Sequence, residues 1–192
     1  MMKVIAVTNR RLCKEHFLKR LERIAKTEAD YIILREKDLE ESEYFALAEK
    51  CLKICGSKLI INSRTETAKT LGIKTIQLSY SDFLKYEKEP FEKIGVSVHS
   101  LEEAKKAADM NADFIVTGHI FETDCKRGVE PRGVDFIKEI AESVNKPVFA
   151  IGGISLETAP LLKNSGVAGV CIMSGLMSGD NFEEIIGSIK PL

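Results

Sequence analysis

The sequence predicts a (β/α)8 barrel, built as a single minimal domain over residues 1–192. Two observations predict it: eight short apolar runs recur along the chain, and amphipathic charged segments alternate with them. Such alternation implies parallel strands joined by right-handed crossovers. An open doubly wound sheet is the competing architecture. No GxGxxG follows the first strand, and the eight units run without a long interruption, so closure into a barrel is favoured.

The predicted strands are short apolar runs, several of them β-branched, which suit a parallel sheet covered on both faces. In chain order they are VIAVT (4–8), YIILR (31–35), KLIIN (58–62), KTIQLS (74–79), IGVSVH (94–99), DFIVTG (113–118), PVFAIGG (147–153) and GVAGVCIMSG (166–175). A barrel of this type usually needs about 250 residues. The loops of this chain are therefore expected to be short.

Between the runs, apolar residues recur three or four positions apart, which is the spacing of an amphipathic helix. The predicted helices are HFLKRLERIAK (16–26), EYFALAEKCLKI (43–54), SLEEAKKAADM (100–110), GVDFIKEIAESV (133–144) and TAPLLKNSG (158–166). Ser100 and Glu103 predict a capping box, and Gly166 predicts a helix C-terminus. The segment 80–93 predicts only a short or irregular helix.

Composition excludes several classes of function. The formal charge of −1, from 28 basic and 29 acidic residues, gives no global attraction for nucleic acid or an anionic membrane. The N-terminal run shows no signal-peptide core, and no run approaches the roughly 18 apolar residues of a membrane span, so a cytoplasmic protein is expected. Five scattered cysteines indicate reduced thiols. Cys51 and Cys55 lie four apart on a predicted helix, but no further ligand pair stands nearby in sequence, so no metal is expected.

Polar residues follow the predicted strands, where the active site of a (β/α)8 barrel lies. They are Thr8, Arg10, Arg35, Lys37, Asn62, Arg64, Gln77, Ser97, His99, His119, Thr123, Gly152, Gly153, Ser174 and Gly175. A ring of polar groups converging from all eight strands is hard to explain by stability alone. It predicts an enzyme that binds a small molecule.

Gly152 and Gly153 end the seventh strand, and Ser174 and Gly175 end the eighth. Glycine lets backbone N–H groups approach phosphate oxygens closely, and this position in a barrel is a common phosphate site. The four residues therefore predict a phosphate cradle. The alternative is that the two glycines only turn the chain.

A cationic mouth is predicted beside the cradle. If the second strand continues, Arg35 and Lys37 project to one side, and Arg64 joins them from the neighbouring strand. Such a cluster suits a carboxylate or a second phosphate. The alternative is a set of surface ion pairs with Glu36, Asp38 and Glu66.

Two histidines follow strands and are candidates for acid–base chemistry near neutral pH. His99 precedes a helix and is expected to be a cap or packing residue, whereas His119 is open to either interpretation. Cys125 lies in the same predicted loop as His119, so a Cys–His nucleophilic pair is a weaker alternative. His16 is expected to face solvent.

Six motifs together resemble the thiamine-phosphate synthase superfamily. They are ILREKD (33–38), LIINSR (59–64), GVSVHS (95–100), FIVTGHIFETDCK (114–126), AIGGI (150–154) and CIMSG (171–175). Each is weak alone, but in series and in the family's order they are specific. The resemblance implies a (β/α)8 barrel that binds a thiazole phosphate.

Departures from the family pattern point away from its condensation reaction. True synthases typically have glutamine where Ile33 stands, a magnesium-binding aspartate where Ser63 stands, and histidine and glycine where Gln77 and Ser79 stand. Serine cannot replace a carboxylate as a metal ligand of similar strength. The chain also reads GHIF where synthases usually read GPxF.

Residues 118–133, GHIFETDCKRGVEPRG, resemble the TenI branch, the thiazole tautomerases. The resemblance implies an isomerase that aromatises a carboxythiazole phosphate, with His119 moving the protons and no cofactor. The expected substrate-binding residues are Arg35, Lys37, Asn62, Arg64, Ser97, Thr123, Lys126, Gly152, Gly153, Ser174 and Gly175. Which cation meets the substrate carboxylate stays open. A homodimer is a further expectation, because the family leans toward dimers.

Two alternatives stay open at this point. The first is thiamine-phosphate synthase itself, which condenses a pyrimidine pyrophosphate with thiazole phosphate in the presence of magnesium. The second is a catalytically idle barrel that acts as a regulator through protein contacts, because no basic patch or nucleic-acid motif supports direct DNA binding.

Overall fold

The computed structural model describes residues 1–87, 91–123 and 128–192, and in it eight parallel strands close into a barrel. The strands are β1 (Lys3–Val7), β2 (Tyr31–Leu34), β3 (Leu59–Asn62), β4 (Thr75–Ser79), β5 (Lys93–Val98), β6 (Phe114–Gly118), β7 (Val148–Ile151) and β8 (Gly169–Ile172). Each strand pairs with the next in sequence, and β8 pairs with β1. The predicted fold class is confirmed.

Helices lie between the strands and cover the barrel. They are α1 (Phe17–Ala25), α2 (Glu41–Cys55), α3 (Thr65–Thr70), α4 (Tyr80–Phe83), α5 (Leu101–Asp109), α6 (Gly133–Ser143), α7 (Ser174–Met177) and α8 (Phe182–Ile189). The helix predicted over 158–166 is instead a 3₁₀ turn at Ala159–Leu162. Sequence reasoning named no helix at α3, α7 or α8.

The strands separate two apolar layers, because successive side chains along a strand point to opposite faces. Val4 and Ala6 of β1 pack outward against the helices, whereas Ile5 and Val7 point into the barrel. Burying an apolar side chain of this size contributes about 1.5–3 kcal/mol. The hydrophobic layers on both sides of the sheet therefore hold the strand ends, and the residues just beyond them, in a fixed ring.

Helix α5 begins with a modified form of the predicted capping box. Ser100 Oγ accepts a hydrogen bond from the Glu103 N–H at 3.2 Å, as expected. The Glu103 carboxylate, however, accepts from the backbone N–H of His99 at 2.6 Å. In the standard capping box the glutamate would accept from the backbone N–H of Ser100. Here it accepts from the residue before, and this bond fixes the backbone of His99 at the end of β5.

Within the described part of the chain, no helix is both long and apolar enough to cross a membrane.

Candidate functional site

Two adjoining cavities, each of about 210 Å³, lie at the carboxyl ends of the barrel strands. The first cavity is distinguished by lining residues His119, Thr123, Gly152, Gly153 and Ser174. The second cavity is distinguished by Lys37, Asn62, Ser63, Gln77 and Ser79. Arg35, Ser97 and His99 line both cavities. The site is therefore one cleft with two compartments, which share these three polar side chains and the apolar residues Val7, Val116, Ile151 and Cys171.

Glycine is needed at positions 152 and 153 because the loop after β6 packs directly on them. Their φ angles are +101° and +67°. A Cβ on Gly152 would lie 2.6 Å from the Cβ of His119, and one on Gly153 would lie 2.7 Å from the Cβ of Phe121. The two glycines thus line the first cavity and also make room for the segment that carries His119.

Ser174 is exposed and begins the short helix α7 at the rim of the first cavity. The first N–H groups of a helix have no partner inside the helix, so they can donate to an anion. Gly175 is not among the residues that line either cavity within the described ranges. A Cβ at Gly175 would meet only ordinary contacts, at 3.5 Å from Ile172 and Ile185.

His119 is 5% exposed, and its ring is oriented by the backbone. Its Nε2 lies 3.1 Å from the carbonyl oxygen of Val129. Because a carbonyl only accepts, Nε2 carries a hydrogen, and Nδ1 is the acceptor in the neutral ring. Nδ1 is buried and has no hydrogen-bond partner within 1–87, 91–123 and 128–192. Lys126 and Cys125 lie outside the described residues.

Arg35 and Lys37 both line the second cavity, although β2 ends at Leu34. Thr8 holds this turn: its Oγ accepts from the Arg35 N–H at 3.0 Å and donates to the Glu36 carboxylate at 2.6 Å. Tyr44 donates to the carbonyl of Leu34 at 2.7 Å. The expected alternation is therefore present, with the Glu36 side chain buried away from the two cations.

The acidic residues beside the second cavity are paired with other arginines. Arg10 lies 3.1 Å from Glu36 and 2.7 Å from Asp38, and Arg11 lies 2.8 Å from Asp38. The hydrogen bond from Arg10 lowers the pKa of Asp38 to about 2. Among the described residues, Arg35 and Lys37 have no ion-pair partner. Their charges are available to an anion.

The structure does not bring Arg64 into the site. Its guanidinium donates to Glu41 at 2.6 Å and to the carbonyl of Leu39 at 2.7 Å, and it lies over the Tyr44 ring. The preceding residue, Ser63, has a φ of +63°, which is the left-handed conformation. This turn directs Arg64 toward α2, so the cationic mouth consists of Arg35 and Lys37.

Three polar side chains in the second cavity are hydrogen-bonded in series across β3, β4 and β5. Asn62 Nδ2 donates to Gln77 Oε1, and Gln77 Nε2 donates to Ser97 Oγ. Gln77 and His99 both line the site, although neither was among the residues expected to bind substrate. The signal for both was polarity: Gln77 interrupts the apolar residues of β4, and His99 directly follows β5.

A metal ion does not fit the residues that the structure describes. Within those ranges, no group of three or more His, Cys, Asp or Glu side chains could hold one. Glu36 and Asp38 are taken up by Thr8, Arg10 and Arg11, and Ser63 offers only a hydroxyl. Among the described residues there is therefore no carboxylate cluster for the magnesium that the family resemblance implies for a synthase.

Comparisons with known proteins identify the relatives of this chain. A family model described as thiamine monophosphate synthase (TMP-TENI) matches residues 4–176. A thiamine-phosphate synthase of Fusobacterium nucleatum subsp. nucleatum is 32% identical, over 97% of this chain and 95% of the relative. A putative thiamine-phosphate synthase 2 of Aquifex aeolicus is 34% identical, over 90% of this chain and 96% of the relative.

Solved structures agree with these matches. The thiamine phosphate pyrophosphorylase of Pyrococcus furiosus superimposes with a TM-score of 0.86 at 26% identity, covering 99% of this chain and 94% of that one. The N-(5'-phosphoribosyl)anthranilate isomerase of the same organism reaches a TM-score of 0.68 at 15% identity, covering 100% of both chains. The second likeness shows the shared barrel fold alone.

The names of the relatives contradict the predicted isomerase. Thiamine-phosphate synthase is a transferase, and this is the name that the Fusobacterium protein and a Clostridium acetobutylicum protein at 33% identity carry. The isomerase prediction relied on His119 and on the missing carboxylate at position 63. Neither residue outweighs similarity over nearly the whole chain.

Proposed function

The chain belongs to the thiamine monophosphate synthase (TMP-TENI) family, and from that membership we propose that it is a thiamine-phosphate synthase of thiamine biosynthesis. The reaction joins a thiazole phosphate to a pyrimidine pyrophosphate. The observation that carries the proposal is the pair of adjoining cavities, because a condensation must hold two substrates side by side.

The first cavity suits the thiazole phosphate. Gly152 and Gly153 line this cavity at the end of β7, and Ser174 lines it at the start of α7. Together they offer N–H donors to a phosphate. Thr123 lines the same cavity and supplies a hydroxyl for the ring, and His119, the residue that the sequence predicted to be catalytic, lines it as well.

The second cavity suits the pyrimidine pyrophosphate. In the condensation the thiazole nitrogen forms a bond to the pyrimidine methylene carbon. The carbon–oxygen bond to pyrophosphate breaks, and pyrophosphate leaves with the electron pair. Arg35 and Lys37 would stabilise the charge that develops on the leaving oxygens. No step is assigned to a metal ion, because the described residues do not fit one.

The test is a condensation assay with the purified full chain. We expect thiamine phosphate and pyrophosphate to form in equal amounts from the two substrates, measured by chromatography with and without added magnesium. Binding of both substrates without turnover would support an idle barrel instead. Conversion of a thiazole substrate in the absence of the pyrimidine would also contradict the proposal.

Substitutions should separate the two cavities. Lys37→Met removes a cation from the second cavity, so we expect the KM for the pyrimidine pyrophosphate to rise about tenfold or more. Thr123→Val removes a hydroxyl from the first cavity, so only the KM for the thiazole phosphate should rise, by roughly fivefold. Steady-state kinetics with each substrate varied in turn measures both. Equal changes in the two KM values would contradict the assignment.

A further inference from the structure

The second cavity contains a hydrogen-bonded chain whose direction can be read from the backbone. Asn62 Nδ2 lies 3.3 Å from the carbonyl oxygen of Gln77, and it also donates to the Gln77 side chain. A carbonyl can only accept, so the nitrogen of the Asn62 amide must face Gln77. The side-chain atom of Gln77 that meets it is therefore the oxygen Oε1.

A second backbone carbonyl fixes the other end of the Gln77 amide. Gln77 Nε2 lies 3.3 Å from the carbonyl oxygen of Leu78, and it donates to Ser97 Oγ. The orientation of the Gln77 amide thus follows from two contacts, one at each end. Asn62 and Gln77 are 9% and 5% exposed, so water does not compete freely for these bonds.

The direction of the chain determines what Ser97 can do. A serine hydroxyl has one hydrogen and two lone pairs, and one lone pair of Ser97 accepts from Gln77. Its hydrogen has no acceptor among residues 1–87, 91–123 and 128–192. Ser97 and Arg35 both line the two cavities, so this hydrogen is available to a ligand oxygen in the part of the site that the compartments share.

We propose that Gln77 is a positioning residue that, together with Asn62, holds Ser97 as a hydrogen-bond donor toward an anionic oxygen of the substrate. The inference deepens the proposed function, and it concerns binding of the pyrophosphate group. Gln77 itself need not touch the substrate. Its part is to donate to one lone pair of Ser97, so that the hydroxyl hydrogen points away from Gln77 and toward the ligand.

Asn62→Asp tests this direction with a nearly isosteric change. A carboxylate cannot donate to Gln77 Oε1, so the Gln77 amide is expected to turn over and present its oxygen to Ser97. Ser97 then donates to Gln77 instead of the ligand. We expect inorganic pyrophosphate to bind roughly ten- to hundredfold more weakly, which is the worth of a hydrogen bond to a charged group.

The controls separate the direction of the chain from the added charge. Ser63→Asp places the same charge on the rim of the same cavity without touching the chain, and the left-handed backbone at Ser63 tolerates aspartate. Asn164→Asp makes the same substitution at an exposed residue away from the cavities and should leave binding unchanged. Ser97→Ala removes the donor itself.

Calorimetric titration with inorganic pyrophosphate, with a chelator present, gives the dissociation constants. We expect Asn62→Asp to weaken pyrophosphate binding at least tenfold more than Ser63→Asp does. In a chain that already carries Ser97→Ala, Asn62→Asp should weaken binding only by the factor measured for Ser63→Asp, because the donor is already absent. Additive losses in the double variant, or failure of the wild-type chain to bind pyrophosphate, would overturn the inference. If Asn62→Asp does not fold, Gln77→Glu turns the same bond and is coupled to Ser97→Ala in the same way. The inference rests on the proposed function, but the two fail separately: loss of the coupling to Ser97 overturns the inference alone, whereas the proposed function fails only in the condensation assay.

Discussion

At Gly152 the barrel rim leaves no space for a side chain. The N–H of Phe121 donates to the Gly152 carbonyl at 3.0 Å, and the N–H of Ile120 donates to the Ile151 carbonyl at 3.1 Å. The segment after β6 therefore continues alongside β7 beyond the end of the sheet. A single glycine thus sets how closely His119 approaches the first cavity.

Gly152→Ala is expected to destabilise the protein by roughly 2–5 kcal/mol, because the new Cβ overlaps His119 and the positive φ is unfavourable for alanine. Urea denaturation of the two proteins measures the difference. Gly187→Ala is the control: Gly187 lies in α8, a Cβ there meets nothing within 4 Å, and a gain of about 0.5–1 kcal/mol is expected. Similar values for the two variants would show that the overlap is relieved without cost.

Individual side-chain directions were the least predictable part of the site. The sequence correctly predicted that Arg64 follows the end of β3. The direction of its side chain depends on the left-handed turn at Ser63, and a serine in the sequence does not predict such a turn. Lys37 keeps its expected direction because Thr8 and Glu36 hold the turn before it. Contacts with residues distant in sequence hold both side chains in place: Glu41 and Leu39 for Arg64, and Thr8 for the turn before Lys37.

At the scale of elements, the turn after β1 is joined to the loop after β2 by an ion-pair network. Arg10 and Arg11 both contact Asp38, and Arg10 also donates its backbone N–H to Glu36 at 3.0 Å. The loop that carries Arg35 and Lys37 is therefore attached to a neighbouring strand connection. This attachment depends on the negative charge of Asp38.

The depressed pKa of Asp38 predicts how stability changes in acid. Because its pKa is lowered to about 2 in the folded protein, the carboxylate stabilises the fold above its usual pKa near 4, and this contribution is lost as the pH falls toward 2. Asp38→Asn should therefore lose stability at pH 7 and depend less steeply on pH between 5 and 2. Denaturation midpoints across that range test this. Parallel profiles for the two proteins would contradict it.

The elements differ in how far the sequence determines them. All eight strands were predicted to within a few residues, because each is built on apolar, often β-branched residues that are buried on both faces of the sheet. Helices α3 and α7 have six and four residues, which is too short to show a helical period. These two helices form because of their contacts with the rest of the barrel, and no local sequence pattern predicts them.

At the scale of the whole molecule, two cavities form because the barrel interior is filled only part of the way up. Ile5, Ile33, Ile60 and Phe149 pack together inside the strands, while Val116 and Cys171 lie in the same cluster and also line both cavities. The sequence predicts that a site exists at this end. It does not predict its division in two, which depends on how Arg35, Ser97 and His99 meet.

The prediction of one domain over residues 1–192 has a direct test. A single cooperative unfolding transition is expected, with coincident midpoints by far-ultraviolet circular dichroism and calorimetry. The calorimetric enthalpy should equal the van't Hoff enthalpy. A calorimetric enthalpy well above the van't Hoff value, or two separate transitions, would divide the chain into independently folding parts.

The pairing of β8 with β1 has a consequence for the order of events on the ribosome. The partner of Val4 is Val170, so on this side the first strand to leave the ribosome stays unpaired until the last strand has been synthesised. At usual rates of translation the wait is roughly ten to thirty seconds. During that time the growing sheet has two unpaired edges, which are the surfaces through which incomplete chains aggregate. We therefore expect nascent chains that stop before Gly169 to bind chaperones, and release to follow synthesis of the final strand.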